Sequence, residues 1–560
     1  MKFYAFNFLL LAISLASAEL TERVSNFKLS EVGVGWDYLK ADTKSQLFQL
    51  TYNQQLKTND GKYLIPDCMN SENIQRTSFQ NKAEVISTFS SFKSLTAKSI
   101  SMSASGAFKK FSFSGSYSRE YERIKNQQRS SNTVTVTTSF NVHGYTLRVE
   151  PTCKLTQSFV SAINDINDLI IENTEQSKAF AKYISQYLVK EYGSHYVTKA
   201  KYGGTIWMED YLSQTYWDSQ ESQKEKIEAS ASFGFSSIIS FKGAGSQTTS
   251  VDTFSSYNSS VRSSFVDALG GNYKPGMTAL DWSNTLDGSL SVIDREANTI
   301  GELLNNQDFF PSLSLLARLR IKSYLDDALN VYLEKNAKQG CMNRRKVPYD
   351  QFANYEEGNL CEEAILFGGT YAESLYCLKW DGNGNCIQGA FPCTENNIIT
   401  TAKSCPSGYS AQQLVETSNN PWLDLFVCTS NNVKDAQSRV LFGGMYSFDS
   451  INPVTGSKRC PSNFRAVSLI DCSKNMICLS TELDKEIPNS AEFGGFISSC
   501  RSASQDCPLG YEKYFLSNFE NCKLYYCAKV KSTEMPQLSE PPFVSIPTGY
   551  ESRARAYLKN

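Results

Sequence analysis

The sequence predicts an α+β protein in which a long N-terminal region of mixed helices and strands is followed by a disulfide-rich β region. Three observations carry that expectation. Only Cys68 and Cys153 precede residue 340, and the other fourteen of the sixteen cysteines lie between Cys341 and Cys527. Helical and strand periodicities alternate in the cysteine-poor part, whereas the cysteine-rich part repeats Phe-Gly-Gly at Phe367, Phe442 and Phe493. At 560 residues the chain is too long for one ordinary domain, since domains average on the order of 150 residues.

Composition narrows the function. Hydrophobic residues at 41%, aromatics at 12% and charged residues at 20% describe a chain that can bury a real core. A net charge of −2 offers no overall pull on nucleic acid, so any membrane affinity must come from a local feature. With only two histidines, His143 and His195, little is available for a zinc site or a hydrolytic triad; no cofactor or metal is expected, and the chain does not read as an enzyme.

Taken in order, residues 1–18 read as a secretory signal: Lys2, an apolar run from Phe6 to Leu15, then Ala16-Ser17-Ala18. Secretion fits the cysteine usage, and no later stretch reaches the roughly 18 apolar residues of a membrane-spanning helix. Residues 19–335 form the first domain. Thr133 to Phe140 alternates as a strand. Lys178 to Tyr192 places Phe180, Tyr183, Ile184, Tyr187, Leu188 and Tyr192 on one helical stripe, with Gly193 as its stop. A second helix, carrying Leu315, Leu316, Leu319, Leu325, Leu329 and Tyr332, closes the domain. Residues 336–363 are a short connector bounded by Cys341 and Cys361.

Residues 364–531 hold three related β-units. Each Phe-Gly-Gly precedes a Cys-Pro step, at Cys405, Cys460 and Cys507, and then a further cysteine, at Cys428, Cys478 and Cys527. The glycines permit bulges or positive φ. Together with Cys341, Cys361, Cys377, Cys386, Cys393, Cys472, Cys500 and Cys522 these cysteines read as structural disulfides, with the pairing open. Zinc is a weak alternative, because no CxxC pair occurs and no histidine follows His195. Residues 532–560 read as a Pro-containing flexible tail. Asn258-Ser259-Ser260 is one sequon for an N-glycan.

Two serine-rich segments carry the most information. In the first, Ile100, Met102, Ala104 and Phe108 alternate with Ser99, Ser101, Ser103 and Ser105; after Lys109-Lys110 the apolar set resumes as Phe111, Phe113 and Tyr117. In the second, Ile227, Ala229, Ala231, Phe233 and Phe235 alternate with Ser230, Ser232, Gly234 and Ser236, and a partner strand runs through the Gly243 to Val251 region. Period two marks a strand with one apolar face, and a soluble half-buried sheet or a Ser-rich linker is the ordinary explanation. At about ten residues and roughly 33 Å, each strand also matches a tilted β-strand crossing a bilayer. A lone hairpin would leave backbone groups unpaired in lipid, so such segments can cross only when many copies close a barrel.

Tyr192-Gly193-Ser194-His195-Tyr196, followed by Gly203-Gly204, resembles the signature of the membrane-attack-complex/perforin (MACPF) family. Gly35 to Leu39, Asp60 to Asp67 and the Phe-Gly-Gly repeats are most similar to its macrophage-expressed, perforin-2 branch, including that branch's second domain; the connector stands at an EGF-like position. The chain departs from that branch in lacking its transmembrane helix and cytoplasmic tail. The resemblance implies a bent, twisted antiparallel sheet like that of the cholesterol-dependent cytolysins, flanked by helical clusters, with Gly203 and Gly204 as a hinge. It further implies that Lys98 to Arg119 and about Ile227 to Thr253 are stored as helices and unfurl into membrane-crossing hairpins.

On that basis the expected protein is secreted, binds a target-cell membrane, assembles with copies of itself into a ring and inserts two hairpins per subunit, in antimicrobial defence. A toxin or egg-defence factor, or a non-lytic adhesion protein, are the alternatives. A partner chain or glycan receptor is expected to act through the C-terminal domain, and nucleic acid is not a partner.

Overall fold

The computed structural model describes residues 29–73, 80–87, 89, 91–92, 100–102, 114–131, 133–240, 249–342, 346–347, 350, 352–358, 360, 362–363, 366–380, 386–417, 422–430, 441–469, 475–480, 491–499, 506–508, 510–519, 522–530 and 536–558. The chain divides into two units. Unit 1 comprises Met1–Gln128, Thr133–Ala337 and Gln537–Asn560; unit 2 comprises Arg129–Asn132 and Lys338–Pro536. The α+β class holds. The signal segment lies outside the described residues.

Unit 1 begins with β1 (Val34–Asp37), β2 (Asp42–Gln46), β3 (Met69–Asn73), β4 (Gln80–Ile86) and β5 (Ile100–Met102), followed by helix α1 (Arg119–Ser131). The β-branched run that starts Thr-Val-Thr-Val makes β6 (Thr133–Val149), which pairs antiparallel with β7 (His195–Ser213) from Thr133↔Ser213 to Arg148↔Lys199. Between these strands come α2 (Gln157–Glu172) and α3 (Glu175–Tyr192). The Thr174 side chain and Ser177 form a capping box that starts α3, all six residues of its sequence-read stripe are buried, and it ends at Gly193. Then follow α4 (Gln214–Gln220), α5 (Lys224–Ile238), α6 (Val251–Ser260), β8 (Val261–Leu269), α7 (Ala279–Ser283), β9 (Ser291–Thr299) and α8 (Leu315–Asn336).

The sheet runs β2-β1-β7-β6-β3, with β4 also on β6, β8 and β9 also on β7, and β5 parallel to β9. Cys68 is bonded to Cys153.

Two expectations change here. In α8 the last leucines and Tyr332 are buried, but Leu315, Leu316 and Leu319 are 62, 59 and 51% exposed. Arg318 takes the inward position on those turns because its Nη1 donates to the Leu304 and Asn305 carbonyls at 2.9 and 3.1 Å, at the end of a 3₁₀ turn. The tail is expected to be flexible, but its described part from Gln537 is folded onto unit 1. Asn336 exchanges two hydrogen bonds with the backbone of Ser539, at 2.9 and 2.8 Å. Farther on, Phe543 N donates to Gln186, the Tyr550 ring lies 4.8 Å from Phe180, and helix α9 (Glu551–Leu558) sets Tyr557 on Tyr187 at 5.3 Å. Tyr550, Arg553, Ala554 and Tyr557 stand at helical spacing, a stripe that the preceding prolines obscure in the sequence.

Unit 2 opens with β10 (Lys346–Val347) and β11 (Glu362–Glu363), which pair with each other. A four-stranded sheet contains β12 (Leu366–Trp380), β13 (Cys386–Glu395), β14 (Ser410–Thr417) and β15 (Trp422–Ser430). A six-stranded sheet contains β16 (Leu441–Tyr446), β17 (Arg465–Ser468), β18 (Met476–Ser480), β19 (Ala491–Ser498), β20 (Glu512–Phe519) and β21 (Cys522–Val530). The repeat is structural as well as textual. Phe367, Phe442 and Phe493 sit on β12, β16 and β19 and pack on one another with ring centroids 5.0 to 6.0 Å apart.

The pairing register shifts just after each of these phenylalanines, and Gly369, Gly444 and Gly495 have φ of 88°, 86° and 102°, which favours glycine. Each Cys-Pro cysteine bonds to the next repeat cysteine: Cys405–Cys428, Cys460–Cys478 and Cys507–Cys527. Cys341 is also disulfide-bonded. Cys361, Cys472 and Cys500 lie outside the described residues, as do the side chains of Cys377, Cys386, Cys393 and Cys522.

Candidate functional site

The signature Tyr192 to Tyr196 joins α3 to β7, and Ser194 at its centre bonds internally. Ser194 Oγ accepts from Tyr38 N at 3.0 Å, donates to Trp36 O at 3.3 Å and lies 2.8 Å from His195 Nδ1. Tyr38 stacks on the imidazole at 5.2 Å. Burial pushes the His195 pKa down to about 3, so the ring is neutral at physiological pH. A serine beside a histidine suggests a nucleophile and its base, but this pair is closed to solvent and its ring is a poor proton acceptor. Its work is to fasten β1 to β7. The Tyr332 hydroxyl adds a second fastening, from α8 to both Asp37 oxygens at 3.0 and 3.1 Å.

Gly203 and Gly204 mark the point where β7 changes partners. His195 to Gly203 pairs with β9, and Thr205 to Leu212 pairs with β8. Opposite, the β6 register breaks between His143 and Tyr145. A Cβ on Gly203 would stand 1.9 Å from Val142 O, and one on Gly204 would stand 2.4 Å from Leu286 Cδ2 and 2.7 Å from the Trp282 ring. Glycine is required here for space. Trp282, buried against this break, is held by its Nε1 donating to Gly270 O at 3.1 Å.

The second serine-rich segment is helical. In α5, Ile227 and Ala231 are buried against Val85, Val134, Val136 and Leu212, Phe235 is also buried, Ala229 is half-buried, and Phe233 turns outward to meet Phe254 of α6 at 5.0 Å. The serine hydroxyls bond back to carbonyls one turn earlier: Ser230 to Lys226 at 2.9 Å, Ser236 to Ser232 at 2.7 Å and Ser237 to Phe233 at 3.0 Å. Positions 227, 231 and 235 therefore serve two periodicities. Four residues is close to one helical turn, and it is also two strand repeats. Asn258 is exposed on α6, next to the buried Tyr257.

The first segment behaves differently. Ile100 to Met102 is strand β5, whose backbone pairs parallel with Arg295 to Ala297 of β9. The helix expected there is not found at those three residues, because the backbone continues the sheet. Ala104, Phe108, Phe111 and Phe113 lie outside the described residues. Tyr117 follows in a turn, its hydroxyl donating to Asn336 O at 2.9 Å.

Sequence reading missed the residues that hold the helices to the sheet. Glu209 and Asp210 are neighbours on β7 and so point to opposite faces. Glu209 is buried and receives both guanidinium nitrogens of Arg123 from α1, at 2.5 and 2.6 Å, together with the Tyr211 hydroxyl at 2.8 Å. Asp210, also buried, accepts from Tyr257 of α6 at 2.6 Å and from Ser264 of β8 at 2.5 Å. Burial raises its pKa, and the two hydrogen bonds oppose that rise. An adjacent Glu-Asp pair in a strand otherwise written Trp-Met and Tyr-Leu was the available signal. Beside this pair, β8 is largely exposed and, among the described strands, pairs only with β7.

No group of histidine, cysteine and carboxylate side chains suited to a metal occurs among the described residues, and no described helix is long and apolar enough to cross a membrane. A partner-switching sheet clamped to helices on both faces, with this signature at its base, defines a perforin-like class. The MAC/Perforin domain family matches residues 25–342, more than half of the chain, and the chain belongs to that family. Three solved structures are similar to it. GNIP1Aa from Chromobacterium piscinae is 12% identical, with 92% of this chain and 81% of that one covered and a TM-score of 0.41. A MAC/Perforin-domain protein from Bacteroides thetaiotaomicron is 12% identical, with 66% and 67% covered and a TM-score of 0.31. Astrotactin-2, a vertebrate-specific perforin-like membrane protein involved in neuronal development, is 13% identical, with 54% and 99% covered and a TM-score of 0.28.

Proposed function

We propose that this MAC/Perforin protein is a secreted pore former that binds a target membrane, assembles into a ring with copies of itself and inserts two β-hairpins per subunit in antimicrobial defence. The observation that supports the reading most is α5, a helix whose sequence also alternates as a strand. As a helix it buries Ile227, Ala231 and Phe235. As a strand it would present Ile227, Ala229, Ala231, Phe233 and Phe235 to lipid and the serines to a water-filled lumen.

Insertion then begins when α5 and α6 leave the sheet, with Gly203 and Gly204 as the place where the sheet yields. β7 and β8 extend downward through the released residues, and the open side of β8 pairs with the next subunit, since an unpaired strand in lipid is excluded by its backbone. Phe108, Phe111 and Phe113 belong to the other, first hairpin of each subunit. Dye release from liposomes by the mature protein, with rings seen by electron microscopy, tests this directly. Membrane binding without leakage or rings would point to the non-lytic adhesion reading instead.

A further inference from the structure

The loop after β16 carries a feature that the repeat does not need. Its base is rigid. Ser447 Oγ and Ser450 Oγ both donate to Leu516 O, at 2.7 and 3.1 Å, and Asn452 Nδ2 donates to Gly443 O at 2.9 Å while its Oδ1 accepts from Val454 N at 2.9 Å. The first repeat builds the same frame with Asn397, whose Nδ2 donates to Gly368 O at 2.8 Å and whose Oδ1 accepts from Ile399 N at 2.8 Å.

On this shared frame the second repeat holds Phe448 and Ile451 out to solvent, 69 and 56% exposed; among the described residues of unit 2 these are the exposed large hydrophobic side chains. The residue before the frame's asparagine is Ile451 here and Asn396 in the first repeat. Lys458 places its ammonium 5.0 Å from the Phe448 ring centroid and donates to the Phe448 carbonyl, and Arg459 beside it is also exposed.

An aromatic and an aliphatic side chain on a stiff tip, edged by two cations and a single carboxylate at Asp449, fit the boundary zone of a bilayer that carries negative headgroups. We propose that this loop is a lipid anchor: Phe448 and Ile451 enter the headgroup–acyl boundary of an anionic membrane, and Lys458 and Arg459 meet its phosphates. The chain's near-neutral overall charge makes such a local contact the more necessary. The assignment extends the pore reading by naming a first contact with lipid.

The test is co-sedimentation of the full mature protein with vesicles of phosphatidylcholine alone and with added phosphatidylserine, scored separately from dye leakage. Phe448→Ser with Ile451→Ser should lower binding to the anionic vesicles by about tenfold or more, the loss expected when buried apolar side chains leave lipid. Lys458→Gln should weaken binding to anionic vesicles and leave neutral ones unaffected. A solvent-sensitive dye on Ile451→Cys should shift to the blue on vesicles. Wild-type binding by a double-serine variant that still leaks dye, or a label that stays at its aqueous emission on vesicle-bound protein, overturns the anchor while leaving pore formation standing. Equal binding of wild type to neutral and anionic vesicles overturns the role of Lys458 and Arg459. Failure of the wild type to bind any vesicle overturns the anchor and the pore reading together.

Discussion

The phenol of Tyr257 donates to the Asp210 carboxylate at 2.6 Å, tying helix α6 to strand β7 in a place closed to water. Tyr257→Phe keeps the ring in its apolar surroundings and removes only that donor. The carboxylate is left with Ser264, and the loss should cost about 1 to 3 kcal/mol of stability, visible as a lower midpoint in chemical denaturation. On vesicles the variant should leak dye sooner than wild type. A variant that is less stable but leaks no sooner would show that this bond does not hold the helices back.

Asp210 itself predicts a pH dependence of definite sign. Its folded pKa is raised above the ordinary carboxylate value, so the folded state holds the proton more readily than the unfolded chain. Its contribution to stability is therefore greatest below the unfolded pKa and is lost as pH rises through the raised folded value. Asp210→Asn, which keeps the shape without the charge, should raise the melting temperature at neutral pH, and the gain should shrink as the buffer is acidified. Melting curves of both proteins across pH decide this; a gain that grows on acidification would contradict it.

Ser230 on α5 and Thr249 just before α6 place their hydroxyl oxygens 3.4 Å apart. A disulfide between Ser230→Cys and Thr249→Cys should lock the helical arrangement, because an extended hairpin that continues the Tyr211↔Ser263 pairing carries these two residues out of register with each other. Leakage should vanish in the oxidised protein and return with a reducing agent mild enough to spare the other disulfides. Undiminished leakage by fully oxidised protein would remove α5 from the inserting machinery.

Gly203 and Gly204 should respond unequally to alanine. At Gly204 the new Cβ meets side-chain atoms of Leu286 and Trp282, whereas at Gly203 it meets the Val142 carbonyl oxygen. Each substitution should cost on the order of 1 to 3 kcal/mol, with Gly203→Ala the worse. Leu286→Ala should recover part of the loss in Gly204→Ala and none in Gly203→Ala, a double-mutant comparison readable from denaturation midpoints.

Ala554, on the inner face of helix α9 in the C-terminal strap, is fully buried and has no room for a long side chain. Ala554→Arg should detach α9 from α2 and α3 while leaving the two sheets of unit 2 intact. Limited proteolysis would then cut the chain within Gln537–Asn560 much faster than in wild type; equal cutting rates would mean that the strap does not depend on this contact.

Much of the architecture was legible where one periodicity dominated. The stripe from Phe180 to Tyr192 is pure helix and folds as one, and the recurring Cys-Pro step coincides with three disulfides of matching position. Legibility fell where a residue serves two patterns or answers to distant partners. Ile227 to Phe235 reads as a strand by alternation, yet its odd positions also repeat at one helical turn, and only packing against Val85 and Val136 selects the helix. Leu315 and Leu316 looked like core by composition, but the carbonyls at Leu304 and Asn305 claim Arg318 and rotate the helix the other way. The acidic pair Glu209-Asp210 in an apolar strand marks the carboxylates of the two clamps, but their partners Arg123 and Tyr257 are far away in sequence, and no local pattern names those.

The paired hydrogen bonds between Asn336 and Ser539 have a topological consequence. The chain departs from unit 1 just after Asn336 and comes home at Gln537, so the entry and exit of the Lys338–Pro536 stretch meet at one doorway. Such a segment is a cassette: it can be lifted out and the gap closed with a short turn, leaving the strap attached to the body it covers. A protease cut inside the cassette would likewise leave the strap held in place by its own contacts.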